Sequence, residues 1–208
     1  MYYGERFNSI THLVGAVLAQ IGFGALITVG VQQRSWAAFI SFTVFGLTLV
    51  LLYTMSTLYH SFQPPRIKRL FQKLDHVSIY LLIAGTYTPY MMVSLGDGNG
   101  PLMLAGVWGL AFVGFLLDIF IKRRLQLLQV CIYLLMGWIC VLEFHHLQQA
   151  IAKPGIILLV AGGIAYTTGI IFYTLDHQNK LSYAHGIWHL FVLTGSICHF
   201  ISIIGYVR

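Results

Sequence analysis

Charge is the scarcest property of this sequence. Only 9% of its 208 residues are charged, whereas 58% are hydrophobic. Soluble domains carry roughly a quarter charged residues, so most of this chain has to face lipid or other lipid-embedded helices. The composition therefore excludes an ordinary soluble domain and indicates an integral membrane protein.

Acidic residues are rarer still, with six against twelve basic residues and a formal net charge of +6. A basic balance can indicate nucleic-acid binding, but here the basic residues sit in short clusters between apolar runs. Anionic lipid headgroups are the natural partners of such clusters. We therefore expect membrane lipids, and no nucleic acid, as partners.

Cysteine is also scarce, and Cys131, Cys140 and Cys198 all lie inside apolar stretches without a CxxC pair. This odd number supports neither a disulfide framework nor a thiolate metal site. The N-terminus lacks the basic, then apolar, then small-residue order of a cleaved signal peptide. The first hydrophobic run is therefore expected to remain in the protein as a helix.

Long apolar runs dominate what is present. A membrane-spanning helix needs about 20 mostly apolar residues, and strands would need alternating polarity that these runs lack. We predict an all-α, polytopic integral membrane protein with one domain, 1–208, and seven transmembrane helices. Their predicted ranges are Thr11–Val31, Trp36–Ser61, His76–Leu95, Pro101–Ile121, Leu125–His146, Pro154–Thr174 and Ala184–Val207.

Basic residues mark one side of the predicted bundle. The N-terminus and every second connection carry Arg6, then Arg66, Lys68, Arg69 and Lys73, then Lys122, Arg123 and Arg124, and then Lys180. The other side carries only Arg34, Lys153 and Arg208. Because cytoplasmic segments are enriched in lysine and arginine, we predict a cytoplasmic N-terminus and an outside C-terminus. This orientation is the reverse of that of G-protein-coupled receptors.

With this orientation, several ionisable residues that are distant in sequence fall at one membrane depth. His60 ends the second helix, Asp75 and His76 enter the third, and His185 and His189 lie in the first turns of the seventh. A charged group at membrane depth costs roughly 2.5–3.5 kcal/mol on insertion scales, and such groups usually mark a site. We therefore predict a functional site near the cytoplasmic face.

Three of these residues form a metal-binding pattern. His185 and His189 are four residues apart, so their imidazoles share one helical face and can bind one metal ion. His60, from the same depth, supplies a third imidazole. Zinc prefers such ligands, and three protein ligands leave a fourth position for water. The sequence thus predicts a Zn²⁺ site of catalytic type.

Two oxygen-bearing residues fit around the predicted metal. Ser56 precedes His60 by one helical turn and faces the same way. Asp75 can accept a hydrogen bond from a metal-activated water and take its proton. Ser56 and Asp75 are therefore the predicted catalytic residues.

Each of these residues also has a simpler interpretation. The two histidines of the last helix can hydrogen-bond across helices, and His60 can be an interfacial histidine. Ser56 can bond back to its own helix carbonyl, and Asp75 can pair with Lys73 or cap the third helix. Their joint placement at one depth favours the metal site.

At these motifs the whole chain resembles the hemolysin III family, the bacterial branch of the progestin-and-adipoQ-receptor superfamily. The resemblance lies in GluArgPheAsnSerIleThrHis at 5–12, SerThrLeuTyrHis at 56–60, LysLeuAspHis at 73–76, TyrLeuLeuIleAlaGlyThrTyrThrPro at 80–89, GlyTrp at 137–138 and HisGlyIleTrpHis at 185–189. It implies a seven-helix fold in a bacterial plasma membrane, with zinc held by His60, His185 and His189. For Glu5, Asn8 and His12 we expect capping of the first helix beneath the metal, rather than ligation.

The wider group also resembles alkaline ceramidases, which implies a zinc-dependent hydrolase acting on a lipid amide or ester through a zinc-bound water. The alternative is a membrane sensor or regulator in which zinc is structural. A channel or transporter needs polar residues through the whole membrane, and the sequence offers few beyond His189. Nothing resembles an amphipathic pore former, which disfavours a cytolysin.

Overall fold

A computed structural model describes residues 1–121, 126–178 and 180–208 of the chain. The predicted basic cluster Lys122, Arg123 and Arg124, the predicted start of the fifth helix at Leu125, and Asn179 in the last connection lie outside the described residues. The side chain of His177 is likewise outside the description.

The described chain folds into long helices joined by short connections. The helices are α1 (Arg6–Gln32), α2 (Trp36–Ser61), α3 (Pro65–Pro89), α4 (Gly100–Phe120), α5 (Gln126–Trp138), α6 (Phe144–Ala150), α7 (Lys153–His177) and α8 (Ala184–Tyr206). A π-helical segment, Tyr90–Ser94, continues α3 after Pro89, and a 3₁₀ segment, Ile139–Glu143, joins α5 to α6.

Seven membrane-length apolar helices are found among the described residues. They are Arg6–Gln32, Trp36–Ser61, Pro65–Ser94, Gly100–Phe120, Gln126–Ala150, Lys153–Asp176 and Ala184–Tyr206. The predicted all-α, multi-pass architecture is confirmed. The cytoplasmic placement of the N-terminus stays a prediction.

The largest difference from the predicted boundaries is in the third span. It was expected to begin at His76, but α3 begins at Pro65. The segment between them alternates basic and apolar residues with a helical period, so it forms an amphipathic first part that a search for continuous apolar runs passes over. Asp75 therefore lies well inside α3, which excludes its predicted alternative role as the cap of that helix.

The helices form a closed ring. Each span packs against its neighbours in chain order, and α8 returns to pack against α1. Because the spans are antiparallel, the starts of α1, α3, α5 and α8 meet the ends of α2, α4 and α7 at one end of the bundle. We call this the site end, and we call the other the opposite end.

Candidate metal centre

Three imidazoles converge at the site end of the bundle. The ring centroids of His60 and His185 are 5.0 Å apart, those of His60 and His189 are 5.0 Å apart, and those of His185 and His189 are 4.7 Å apart. One ring nitrogen of each residue lies within 4.8 Å of the other two. His60 and His189 are each only 2% exposed. The end of α2 and the first turns of α8 thus form a cluster that can hold one metal ion.

A glycine between the two α8 histidines brings α1 close to the cluster. A Cβ atom at Gly186 would collide with the ring of Phe7 and would lie 3.1 Å from Oδ1 of Asn8. Any larger residue would therefore push the first turn of α1 away from α8. The absence of a side chain here lets the backbone of α1 reach His189.

Each of the three imidazoles is held through its Nδ1 atom. His60 Nδ1 lies 2.7 Å from Glu5 Oε2, and His185 Nδ1 lies 3.0 Å from Asp176 Oδ2. His189 Nδ1 lies 3.1 Å from both Thr11 Oγ1 and the carbonyl oxygen of Asn8. The partners come from two helices, α1 and α7, and from the residue before α1, and they fix the orientation of the rings.

The identity of these partners assigns the tautomer of each ring. A carboxylate and a carbonyl oxygen only accept hydrogen bonds. The hydroxyl hydrogen of Thr11 is directed to the carbonyl oxygens of Phe7 and Asn8, so Thr11 also accepts from His189. In all three imidazoles Nδ1 is therefore the donor, and each neutral ring keeps a lone pair on Nε2.

Glu5 is ionised in this arrangement. Partial burial favours the protonated form, but hydrogen bonds from His60, Asn8 and Lys68 outweigh it and hold the pKa of the Glu5 carboxyl well below its usual range. The carboxylate accepts from Asn8 Nδ2 at 2.8 Å and from Lys68 Nζ at 3.1 Å. Although Glu5 occupies the position before α1, its side chain makes no cap hydrogen bond. The expected capping role is therefore wrong for Glu5.

His12 lies against the cluster without joining it. Its ring stacks on that of His189 with centroids 3.6 Å apart, and it meets Tyr53 edge to face at 5.0 Å. Both of its ring nitrogens are buried without a hydrogen-bond partner among the described residues. His12 therefore packs on the face of His189, as a neighbour of the cluster rather than a member of it.

Of the two predicted catalytic residues, Ser56 is the more deeply buried. It is 1% exposed, and its Oγ has no hydrogen-bond partner within the described part of the chain. The bond to its own helix carbonyl, which was the simpler alternative, is therefore not formed. A buried hydroxyl without a partner costs free energy unless water or a ligand satisfies it. Ser56 lies one helical turn from His60 on α2, and its assignment as a catalytic residue remains a prediction.

Asp75 is half-buried on α3. It interacts electrostatically with Tyr59, the residue before His60, and the next residue, His76, lines the cavity described below. Its assignment as the proton acceptor remains a prediction.

A polar cavity of about 320 Å³ opens at the cluster. Polar side chains from six helices and the N-terminal segment form most of its wall, together with Gly4: Glu5, Asn8, Tyr59, His60, Gln72, His76, Gln126, Tyr173, Asp176 and His185. The volume lies at the lower end of the range for small-molecule sites. A small polar group can therefore approach His60 and His185.

The donor set fits a divalent transition metal. His60 Nε2 is buried and has no hydrogen-bond partner within the described residues, so a lone pair is left unsatisfied in the protein interior. Two further Nε2 lone pairs belong to the same cluster. Three neutral imidazole nitrogens are a donor set that suits zinc, and a carboxylate or carbonyl on the outer nitrogen is the usual support for such ligands.

The outer partners of the histidines were missed by reasoning from the sequence. Glu5 and Asn8 were expected to cap the first helix, and Asp176 fell in the connection after the predicted helix Pro154–Thr174. The predicted orientation could have indicated these contacts. It placed the starts of the first and seventh predicted helices and the end of the sixth on the same side of the membrane. The motif residues could therefore have been placed beside the predicted metal ligands.

Comparison with known proteins agrees with this description. The family model described as "Haemolysin-III related" matches residues 2–200. The chain is 41% identical over 203 residues to Hemolysin-3 of Bacillus cereus, covering 98% of this chain and 91% of that one. It is 39% identical to the Hemolysin-3 homolog of Bacillus subtilis (strain 168), with 97% and 93% covered. A more distant human relative, Monocyte to macrophage differentiation factor, is 27% identical, with 98% and 84% covered. The chain therefore belongs to the haemolysin-III-related family of multi-pass membrane proteins.

Proposed function

We propose that this protein is a zinc-dependent, hydrolase-like membrane enzyme that acts on a lipid amide or ester. The observation that carries the proposal is the buried Nε2 lone pair of His60, which has no partner within the described residues and belongs to a cluster in which His185 and His189 each offer a further ring nitrogen. Leaving such a group unsatisfied costs about 1–3 kcal/mol. A bound metal ion would remove this cost.

In this proposal the three histidines hold the metal and their Nδ1 partners keep the lone pairs directed at it. When bound, zinc would lower the pKa of a water molecule toward 7 and polarise a carbonyl oxygen. Asp75 would accept the proton of the attacking water, and Ser56 would orient that water by a hydrogen bond. As the C–N or C–O bond of the substrate breaks, the departing amine or alcohol would take up that proton. The polar cavity would admit the reacting group of the substrate.

Purified protein in detergent would test the activity. The protein, loaded with zinc, is incubated with ceramide, with an ester and with a native lipid extract, and the released fatty acid is measured. Hydrolysis that disappears in Asp75→Asn while the metal content stays at the wild-type value supports the proposal. Stoichiometric zinc with no turnover of any of the three substrates contradicts it.

A second function, a sensor or regulator with a structural metal, is favoured by one observation. The hydrogen bonds at Nδ1 connect different parts of the chain. They join the N-terminal segment to α2, α1 to α8, and α7 to α8. A metal at the centre of these ties would stabilise the bundle. This function predicts that His60→Ala lowers thermal stability together with zinc content, while Asp75→Asn leaves function intact.

A further inference from the structure

We infer that Glu5 is a positioning residue of the metal centre, which fixes the tautomer and direction of the His60 ring without touching the metal. The inference rests on the metal-binding part of the proposed function and adds a residue to it. Glu5 Oε2 lies 2.7 Å from His60 Nδ1 and 2.8 Å from Asn8 Nδ2. One carboxylate oxygen thus serves both the ligand from α2 and the first turns of α1.

The other carboxylate oxygen reaches a different helix. Glu5 Oε1 accepts from Lys68 Nζ of α3 at 3.1 Å, and Lys68 also contacts the hydroxyl of Tyr2. The ammonium group lies 4.9 Å from the centroid of the Tyr2 ring and 5.2 Å from that of Tyr59. This anchor holds the carboxylate in one place, which a positioning group requires.

Without Glu5, nothing among the described residues would hold His60 Nδ1. The ring is 2% exposed and its Nε2 has no described partner. A free imidazole could then carry its proton on Nε2, which is the nitrogen that has to bind the metal. Residues that hold metal-ligating histidines in this way contribute about 10–100-fold to metal affinity.

The test measures zinc affinity by competition with a chelator in the full-length protein, together with the absorption spectrum of the cobalt form. Glu5→Ala should weaken binding about 10–100-fold and change the cobalt spectrum. The zinc affinity of Glu5→Gln should lie between those of Glu5→Ala and the wild type. An amide offers one acceptor oxygen, whereas the two carboxylate oxygens accept from two sets of donors. If the alanine variant does not fold, the glutamine variant carries the test.

Two controls separate positioning from general stability. Lys68→Met removes the anchor but leaves the acceptor of His60, and it should change affinity less than Glu5→Ala. Glu143→Ala removes a carboxylate that bonds His146 at 2.6 Å at the opposite end, and it should leave affinity unchanged.

The outcomes of the two proposals are distinct. Glu5→Ala with an affinity within about twofold of wild type, or with a lowered melting temperature of the metal-free protein as its sole effect, overturns the inference even if lipid is hydrolysed. Zinc binding that depends on Glu5 in a protein without hydrolytic activity upholds the inference and contradicts the proposed enzyme. A wild-type protein that binds no metal overturns both.

Discussion

The two ends of the bundle contain the same pair of side chains in different surroundings. At the site end, Glu5 Oε2 lies 2.7 Å from His60 Nδ1, and at the opposite end Glu143 Oε2 lies 2.6 Å from His146 Nδ1. The side chain of His60 is 2% exposed, whereas that of His146 is 58% exposed. Only His60 has two further buried or half-buried imidazoles beside it.

This difference shows what makes a histidine-rich segment a site. The opposite end has adjacent histidines, His145 and His146, so its local histidine density is the higher one. Both are exposed, and water can satisfy their ring nitrogens. At the site end the imidazoles come from helices more than 120 positions apart in sequence (60 and 185), and two of the three rings are buried. Convergence and burial, rather than density, distinguish the candidate metal centre.

The largest expected effect comes from removing one histidine at each end in turn. His60→Ala should abolish zinc binding at micromolar metal, because two imidazoles remain where three are needed for a tight site. The matched variant His146→Ala should retain wild-type zinc content. Metal analysis of both purified proteins checks the prediction, and equal zinc loss in the two variants would remove the distinction between the ends.

The next effect concerns catalysis rather than binding. Asp75→Asn should lower the rate of lipid hydrolysis by about 10²–10⁴-fold, the usual contribution of a general base, with zinc content unchanged. Asp97→Asn, in the exposed connection at the opposite end, serves as the control and should keep full activity. An unchanged rate in Asp75→Asn would assign the proton transfer to another group.

A smaller effect is expected from the close approach of α1 to α8. Gly186→Ala should destabilise the protein by about 1–3 kcal/mol, because its Cβ atom would collide with Phe7. It should also weaken zinc binding, since the carbonyl of Asn8 would move away from His189. Thermal unfolding and metal competition check both effects. Gly205→Ala, whose Cβ would have nothing within 4 Å, should show neither.

The smallest effect is expected from removing one of the two groups that accept a hydrogen bond from the His189 ring. Thr11→Val removes the hydroxyl beside His189 but leaves the carbonyl of Asn8, so the cost should be about 1 kcal/mol. Thr28→Val removes a hydroxyl that bonds Gly24 near the other end of α1, where it is exposed, and should cost less. A loss of zinc in Thr11→Val as complete as in His60→Ala would mean that Thr11 does more than orient a ring.

The sequence predicted the seven spans because continuous apolar runs of about 20 residues are typical of membrane-spanning helices. It also predicted that His60, His185 and His189 would lie at one depth, because alternate helix ends share one side of a membrane. It did not predict the amphipathic beginning of α3, where apolar and basic residues alternate. Helix ends of this kind depend on tertiary packing and on the membrane surface more than on hydropathy.

Polar contacts between helices were beyond sequence reasoning for a different reason. Ser196, His199 and Ser202 of α8 are buried, and Ser196 bonds the hydroxyls of Tyr53 and Tyr166 at 2.7 Å each. Reasoning from the sequence found few polar groups beyond His189, because Tyr53 and Tyr166 stand within apolar runs. Which tyrosine points inward depends on helix rotation, and a single sequence does not specify it.

The central claim is that three imidazoles bind one divalent metal ion, and mass-spectrometric metal analysis of the purified protein tests it most directly. We predict about one zinc ion per wild-type chain and a nearly complete loss of zinc in His189→Ala. A wild-type protein without bound metal after zinc loading, or a His189→Ala variant with the same metal content as wild type, would contradict the claim.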